Sequence, residues 1–183
     1  MAGWKEKREV MKRYDLTAEM YEERYAEEQK AKYKAALENV HVDNRVVLDV
    51  GCGTGLFFEN VGQKANKVVG VDISRKLLLM AKEKASGMQN VSVLQADADH
   101  LPFRGASFHV VFAFTVLQNM PKPYDTINEL KRVAELDGKI VVTGLKKAFP
   151  INVFMDDIES ADLKIVSFVN NEELKCYVVV LAA

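Results

Sequence analysis

A glycine-spaced turn is the feature of this sequence whose spacing is suited to holding a small ligand. The apolar run 46–50 leads directly into Gly51, Gly53 and Gly55, and the residues that follow start a helical pattern. Because glycine has no side chain, the backbone amides of such a turn can approach a ligand closely. In an open α/β sheet, nucleotide-like ligands bind in the crevice where a strand ends and a helix begins. The sequence therefore predicts a ligand site at this turn.

The spacing of the glycines differs from that of the dinucleotide fingerprint. A G-x-G-x-x-G pattern that begins at Gly51 requires glycine or alanine at position 56, where the chain has Leu56. The turn instead has G-x-G-x-G spacing, with Asp49 just before it. A nicotinamide-dependent oxidoreductase is therefore disfavoured, but it remains one alternative. A non-catalytic protein that uses this fold only for binding is another.

Asp72 is a second residue with a chemical role to assign. It follows the strand predicted over 67–71, and an ionised carboxylate at this point can accept hydrogen bonds from the two hydroxyls of a ribose. The structural alternative is a carboxylate that caps the helix expected from Ser74 onward. Its position favours the ligand role.

The elements that position these residues alternate between strand and helix patterns, which predicts a parallel sheet covered on both faces. The final two apolar runs are separated by a short polar turn, which predicts a hairpin and one antiparallel strand. The strands are predicted over 46–50, 67–71, 91–95, from 110 onward, and over 139–145, 163–169 and 173–181; the helices are predicted over 56–61, 74–85, 125–134 and 151–160.

The amino-terminal part of the chain is predicted to be helical. Residues 3–40 contain no proline and are rich in Ala, Glu, Lys, Arg and Met, which predicts two or more helices. With 183 residues the chain fits one domain, 1–183, made of a helical extension over 1–40 and a core over 41–183.

Charge and cysteine content exclude several classes of protein. Lys and Arg total 25 against 26 Asp and Glu, so no global field attracts nucleic acid or anionic lipid. The charged amino terminus does not match a signal peptide, and no apolar run reaches the length of a membrane span, so a cytoplasmic protein is expected. Cys52 and Cys176 form no C-x-x-C pair, so no metal site is predicted.

The segment 48–55, Leu-Asp-Val-Gly-Cys-Gly-Thr-Gly, resembles the first motif of the class I S-adenosylmethionine-dependent methyltransferases. The resemblance covers about residues 14–181. It implies a Rossmann-like α/β fold, with a seven-stranded sheet of order 3-2-1-4-5-7-6, an antiparallel strand 7 and helices on both faces. It also implies S-adenosyl-L-methionine as the cofactor.

The resemblance assigns contacts with that cofactor. Asp72 would bind the ribose, the Asp97 carboxylate would accept from the adenine amine, and the Ala98 N–H would donate to a ring nitrogen. Asp49 would brace the glycine turn and face the amino group of the methionine, directly or through water. The full predicted set is Asp49, Gly51, Cys52, Gly53, Gly55, Asp72, Ile73, Asp97, Ala98, Phe112, Tyr14 and Tyr21.

The segment 14–22 resembles the Y-D-x-x-A-x-x-Y-D stretch that crosses the cofactor pocket in many small methyltransferases, although Glu22 stands where Asp is commoner. The resemblance implies that Tyr14 and Tyr21 lie at the cofactor, and it leads us to expect that residues 1–25 form a lid. The alternative is a stripe of tyrosines packed on the sheet, which we favour for Tyr25 and Tyr33.

The methyl acceptor is the least determined part of the prediction. A sulfonium methyl group is already activated, so proximity supplies most of the acceleration and no catalytic base is assigned. The chain has Phe112-Ala-Phe-Thr115 where N-P-P-Y would follow strand four, which disfavours an amide or adenine-amine acceptor. No cysteine lies near strands four or five, which disfavours C5 methylation of a pyrimidine through a covalent adduct.

Short connections between strands four and seven leave little wall for a small substrate, which normally has most of its surface buried. We therefore expect a macromolecular acceptor (tRNA, rRNA or protein) or a partner subunit that completes the site, with a small-molecule acceptor as the alternative. Whether nucleic acid is bound stays open, because the basic residues expected on the rim are equally consistent with a solvated edge: Arg104, Lys122, Lys146 and Lys147.

Overall fold

Seven strands form one sheet with the order β3-β2-β1-β4-β5-β7-β6 in the computed structural model. It describes residues 3–18 and 21–183, with the backbone alone for 21–25. β7 runs antiparallel to both of its neighbours, and the other pairs are parallel. This confirms the predicted order and the closing hairpin. The strands are β1 Val46–Val50, β2 Lys67–Asp72, β3 Val91–Gln95, β4 Phe108–Ala113, β5 Ala134–Leu145, β6 Lys164–Val169 and β7 Cys176–Ala182.

Helices cover both faces of this sheet. Successive strand residues point to opposite faces, as Val47 and Leu48 of β1 do, so a sheet covered twice has nearly continuous apolar strands. One core lies under α2, α3 and α4, and the other lies under α5 and α6. The helices are α1 Trp4–Thr17, α2 Tyr21–Leu37, α3 Phe58–Val61, α4 Arg75–Lys84, α5 Pro123–Val133 and α6 Ile151–Ser160.

Several element boundaries differ from the prediction for local reasons. β5 begins at Ala134, because Ala134 already pairs with Phe108 before the turn at Asp137, where φ is 64°. β7 begins only at Cys176, since the Leu174 N–H is held by the Asn171 side chain in the preceding turn. The predicted cap of α4 is confirmed, because Ser74 Oγ accepts from the Leu77 N–H at 3.2 Å.

Within the described ranges, no helix is both long and apolar enough to cross a membrane. The same residues contain no group of three His, Cys, Asp or Glu side chains placed to hold a metal ion.

Candidate functional site

A cleft opens at the carboxyl ends of β1 to β4, where the strand order reverses direction between β1 and β4. It contains about 680 Å³ of empty space, part of it open to solvent. The amino-terminal helix α1 forms one wall. The cleft is lined by Lys7, Val10, Tyr14, Val50, Gly51, Gly53, Val71, Asp72, Ile73, Leu77, Ala96, Asp97, Ala98, Phe114, Thr115, Val116, Asn119 and Met120.

The glycine turn is fastened to the end of β2. The N–H groups of Gly51 and Cys52 both donate to the Val71 carbonyl, at 2.8 and 3.0 Å. Gly51 has a φ of 71°, and a Cβ there would lie 2.5 Å from a methyl carbon of Val116. Glycine is therefore required both by the backbone conformation and by the close packing against the segment that follows β4.

Gly55 has a different role from the one predicted. It is buried outside the lining of the cleft, and a Cβ there would lie 2.6 Å from the ring of Phe58. Gly55 lies at the end of the turn with a φ of 78°, and because it has no side chain, Phe58 of α3 can pack closely against it. Gly55 therefore shapes the site from behind, whereas Gly51 and Gly53 face the cleft.

Asp72 lies at the floor of the cleft and holds the turn in place. Its two carboxylate oxygens accept from the N–H of Gly53 at 2.9 Å and from the N–H of Ser74 at 2.8 Å. Burial raises the pKa of Asp72 above its ordinary value, although these backbone hydrogen bonds oppose the shift. Each oxygen keeps a further lone pair, so the carboxylate can accept these backbone hydrogen bonds and also a hydrogen bond from a ligand hydroxyl.

Asp49 is predicted to brace the turn, but the structure gives its Oδ2 no hydrogen bond with the turn. Asp49 is 2% exposed, and its Oδ2 accepts no hydrogen bond from any described residue. It lines a small pocket behind the cleft together with Cys52 and Thr54, whose buried Oγ1 also has no hydrogen-bond partner among the described residues. Burial, together with the charge of Asp72, raises the pKa of Asp49 well above its ordinary value. A cationic or hydrogen-donating ligand group in this pocket would stabilise the ionised carboxylate.

Asp97 and Ala98 line the cleft as predicted, but Asp97 has a partner that no sequence motif marks. Lys7 of α1 reaches both Asp97 oxygens, at 2.7 and 2.8 Å, and Asp99 Oδ2 at 2.5 Å. Lys7 is only 7% exposed. Burial lowers the pKa of Lys7, but its hydrogen bonds to Asp97 and Asp99 and their charges outweigh burial, so the pKa lies above the ordinary value. Lys7 therefore joins α1 to the predicted base-recognition carboxylate by buried charge pairs.

A second set of contacts fixes the other half of α1 over the cleft. Asp15 accepts from Ser74 Oγ at 2.5 Å, and the Tyr14 hydroxyl accepts from the Asn119 side chain at 3.1 Å. Tyr14 thus lines the cleft as predicted, whereas the side chain of Tyr21 lies outside the described residues. Tyr33 is buried with its ring centroid 4.8 Å from that of Phe57, which confirms a packing role.

The prediction that Phe112 lies in the site is wrong. Phe112 is fully buried inside β4, with its ring packed against Phe57 and Phe114. The strand ends at Ala113, so the residues that reach the cleft are the next ones, Phe114, Thr115 and Val116.

Comparisons with known proteins agree with this geometry. A family model described as "Methyltransferase domain" matches residues 48–142. The chain is 32% identical over 146 residues to a malonyl-[acyl-carrier protein] O-methyltransferase of Marinomonas sp., covering 77% of this chain and 53% of the relative. It is 33% identical to a ubiquinone biosynthesis O-methyltransferase of Azoarcus sp., covering 59% of this chain and 47% of that relative. The chain therefore spans about half the length of these curated relatives.

Solved structures share the fold. A SAM-dependent methyltransferase from Aquifex aeolicus has a TM-score of 0.74 at 21% identity, covering 82% of this chain and 88% of that chain. Magnesium protoporphyrin IX methyltransferase from Synechocystis, with bound SAM, has a TM-score of 0.79 at 16% identity, covering 97% and 96%. A complex between the Haloferax volcanii Trm112 methyltransferase activator and a methyltransferase gives 0.80 at 16% identity, covering 95% and 97%.

Fold and cleft together define a class I S-adenosylmethionine-dependent methyltransferase. Within that class, the chain belongs to the methyltransferase-domain family whose model matches residues 48–142.

Proposed function

We propose that this protein binds S-adenosylmethionine in the cleft and transfers its methyl group to an acceptor at the end of β4. The observation that carries the proposal is the Asp72 carboxylate, which is fixed by two backbone N–H groups at the cleft floor and can still accept from a ribose diol. Asp97 lines the part of the cleft that would hold the adenine, and the small pocket lined by Asp49 would hold the ammonium group of the methionine.

The reaction requires little chemistry from the protein. The sulfonium methyl carbon is attacked in line by the acceptor, and the electrons of the breaking S–C bond stay on sulfur. Holding the two reactants in this geometry supplies most of the rate enhancement. Phe114, Thr115 and Val116 are the residues placed to contact the acceptor, because they extend from β4 into the cleft.

The structure weakens the reason for expecting a macromolecular acceptor. That expectation rests on a missing wall, but Lys7, Val10 and Tyr14 of α1 line the cleft and supply one. The curated relatives are also named for malonyl on a carrier protein and for ubiquinone biosynthesis, so they do not favour RNA. We therefore propose a small acceptor, either free or carried on a protein, that enters beside α1. The structural likeness to the Trm112 complex keeps an activator subunit as a second proposal.

The cofactor proposal is tested by calorimetry with S-adenosylhomocysteine, the demethylated cofactor. Asp72→Ala should weaken binding by roughly 1.5–3 kcal/mol, the range for hydrogen bonds to a charged group. Asp43→Ala, which removes an exposed carboxylate, is the matched control and should bind like the wild type. Equal affinity in the Asp72 variant would remove the ribose assignment.

The acceptor proposal is tested by incubating the protein with methyl-labelled cofactor and a cell extract, and then separating the extract by size. Label in small molecules, or in small groups cleaved from a carrier protein, is the expected result. Label confined to RNA or to protein side chains would instead favour the macromolecular acceptor.

A further inference from the structure

A buried lysine lies directly beneath the acceptor end of the cleft. Lys32 of α2 is 1% exposed, and its Nζ is 2.8 Å from Glu28 Oε1 and 3.1 Å from Thr115 Oγ1. Glu28 is shared with Lys175, whose Nζ lies 3.2 Å from the other carboxylate oxygen. Glu28 therefore pairs with the buried Lys32 and also with Lys175, whose side chain is 75% exposed and screened by solvent, so Lys32 is the buried cation below Thr115.

Thr115 is held in an unusual conformation. Its φ is 61°, in the left-handed region where a β-branched residue is strained. Its N–H donates to Thr143 Oγ1 at 2.8 Å, and its carbonyl accepts from the side chains of Gln118 at 2.7 Å and Asn119 at 3.1 Å. Such strain persists only where the surroundings fix it, and it is concentrated at functional sites. These contacts hold Thr115 at the cleft.

The contact with Lys32 also fixes the direction of the Thr115 hydroxyl. An ammonium group has three donors and no acceptor, so Thr115 Oγ1 accepts in this pair and keeps its own proton to donate. None of the described residues accepts that proton. Thr115 is one of the residues that line the cleft, and this hydroxyl proton is the only hydrogen-bond donor of its side chain.

From this arrangement we infer that the site selects a methyl acceptor that carries an ionised oxygen, such as a phenolate, an enolate or a carboxylate, bound by the Thr115 hydroxyl. This rests on the proposed methyltransferase function and names its substrate class. Lys32 acts as a positioning residue, because it orients and polarises Thr115 without reaching the cleft surface.

Two physical reasons favour an oxygen anion over an amine as the acceptor bound at Thr115. An ionised oxygen has three lone pairs, so it can accept from Thr115 and still present electrons to the methyl carbon. A neutral amine has one lone pair, and the same hydrogen bond would occupy it. In addition, methylation of an amine places positive charge above Lys32, whereas methylation of an anion leaves a neutral product.

The electrons and charges balance without a further reactant. The acceptor enters after losing its proton to solvent, and its lone pair forms a new bond from oxygen, or from the carbon conjugated to it, to the methyl carbon. The S–CH₃ bond breaks with its electrons left on sulfur. The anion and the sulfonium cation become a neutral methylated product and a neutral thioether. Where a ring carbon is methylated, that carbon then gives its proton to water and the oxygen takes one up from water, so the product stays neutral.

The first experiment uses two probes of equal size and opposite charge, benzoate and benzylamine, titrated into the protein saturated with S-adenosylhomocysteine. Benzoate should bind more tightly, and Thr115→Val and Lys32→Met should each reduce that preference about tenfold, the loss expected for one hydrogen bond to a charged group. Thr115→Ser restores the hydroxyl and should restore the preference. The matched controls are Thr17→Val and Lys30→Met, whose side chains do not line the cleft.

A parallel titration with S-adenosylhomocysteine alone separates the substrate from the cofactor, which has a carboxylate of its own. Thr115→Val should leave that affinity within twofold of the wild type. An equal loss for S-adenosylhomocysteine and benzoate would place Thr115 at the cofactor and overturn the inference, as would tighter binding of benzylamine. Failure of the wild type to bind S-adenosylhomocysteine would instead reject the proposed function.

The second experiment identifies the methylated atom. The protein is incubated with ¹³C-methyl S-adenosylmethionine and a cell extract, and carbon NMR separates methyl groups on oxygen and carbon from those on nitrogen. Methyl on oxygen or carbon, lost with Thr115→Val and recovered with Thr115→Ser, is the expected result. N-methyl products, or O-methyl products formed equally well by Thr115→Val, would overturn the inference.

Discussion

Replacing Lys7 by Met tests whether the amino-terminal helix contributes directly to cofactor recognition. The ammonium of Lys7 lies within 2.8 Å of three oxygens, two on Asp97 and one on Asp99, and the side chain is 8% exposed. Removing it leaves two shielded carboxylates side by side without a counter-charge. Breaking a hydrogen-bonded charge pair of this kind costs about 1.5–3 kcal/mol.

We expect this loss in cofactor binding, because Asp97 is the proposed partner of the adenine amine and the hydrogen bonds from Lys7 hold its carboxylate in place. The affinity for S-adenosylhomocysteine should fall by roughly 10- to 100-fold. Calorimetry measures the change, and Lys5→Met, on the exposed face of the same helix, is the matched control.

Base selectivity distinguishes this role from simple loosening of α1. S-inosylhomocysteine carries a carbonyl oxygen in place of the adenine amine, so an intact Asp97 should reject it. Lys7→Met should reduce the preference for the adenine ligand. Asp15→Ala, which removes the contact between α1 and Ser74, should weaken both ligands equally. Tighter binding by Lys7→Met would refute the reasoning, because it would show that Lys7 blocks Asp97.

Three further predictions concern stability. The pKa of Asp49 is raised above its ordinary 3.8 by burial and by Asp72, so the ligand-free fold binds this proton more tightly than the unfolded chain does. The free energy of unfolding should then fall as pH rises above about 4. Asp49→Asn should reduce that fall, which is measured by urea unfolding at acidic and at neutral pH. An equal fall in the variant would contradict this prediction. Gly55→Ala should destabilise the protein by at least about 1–2 kcal/mol, because the added Cβ would meet the Phe58 ring and the backbone at this position is left-handed. Gly87→Ala is the control: a Cβ at Gly87 has no neighbour within 4 Å, so this variant should change stability by less than about 0.5 kcal/mol in the same denaturation assay. Glu129→Ala should cost about 1.5–3 kcal/mol in thermal unfolding, because Glu129 accepts from the Leu101 N–H at 2.7 Å and from Arg132; a change near zero would show that these contacts are not stabilising.

The strand order, the closing hairpin and the Ser74 cap could be predicted from the sequence because each depends on a local pattern. A buried parallel strand is a continuous apolar run, and a cap is a residue type at one position. The same property explains the error at Phe112. In the apolar run 110–117 nothing marks where the strand ends, so a core residue was predicted to reach the site that Phe114 lines.

Lys7 and Lys32 could not be found in this way. Each lies in a helix of mixed charges, where most lysines are solvated, and each meets a partner more than 80 positions away along the chain. Only the packing of α1 and α2 against the sheet places these ammonium groups at Asp97 and Thr115. Asp49 shows the same limit, because the sequence places it before the glycines but does not show that its Oδ2 has no hydrogen-bond partner among the described residues.

Crystals of the protein grown with S-adenosylhomocysteine test the central claim most directly. One ligand per chain should occupy the cleft under α1, with the ribose hydroxyls on Asp72 and the adenine amine on Asp97. Ligand density outside this cleft, or binding of NADH in place of S-adenosylhomocysteine, would contradict the assignment.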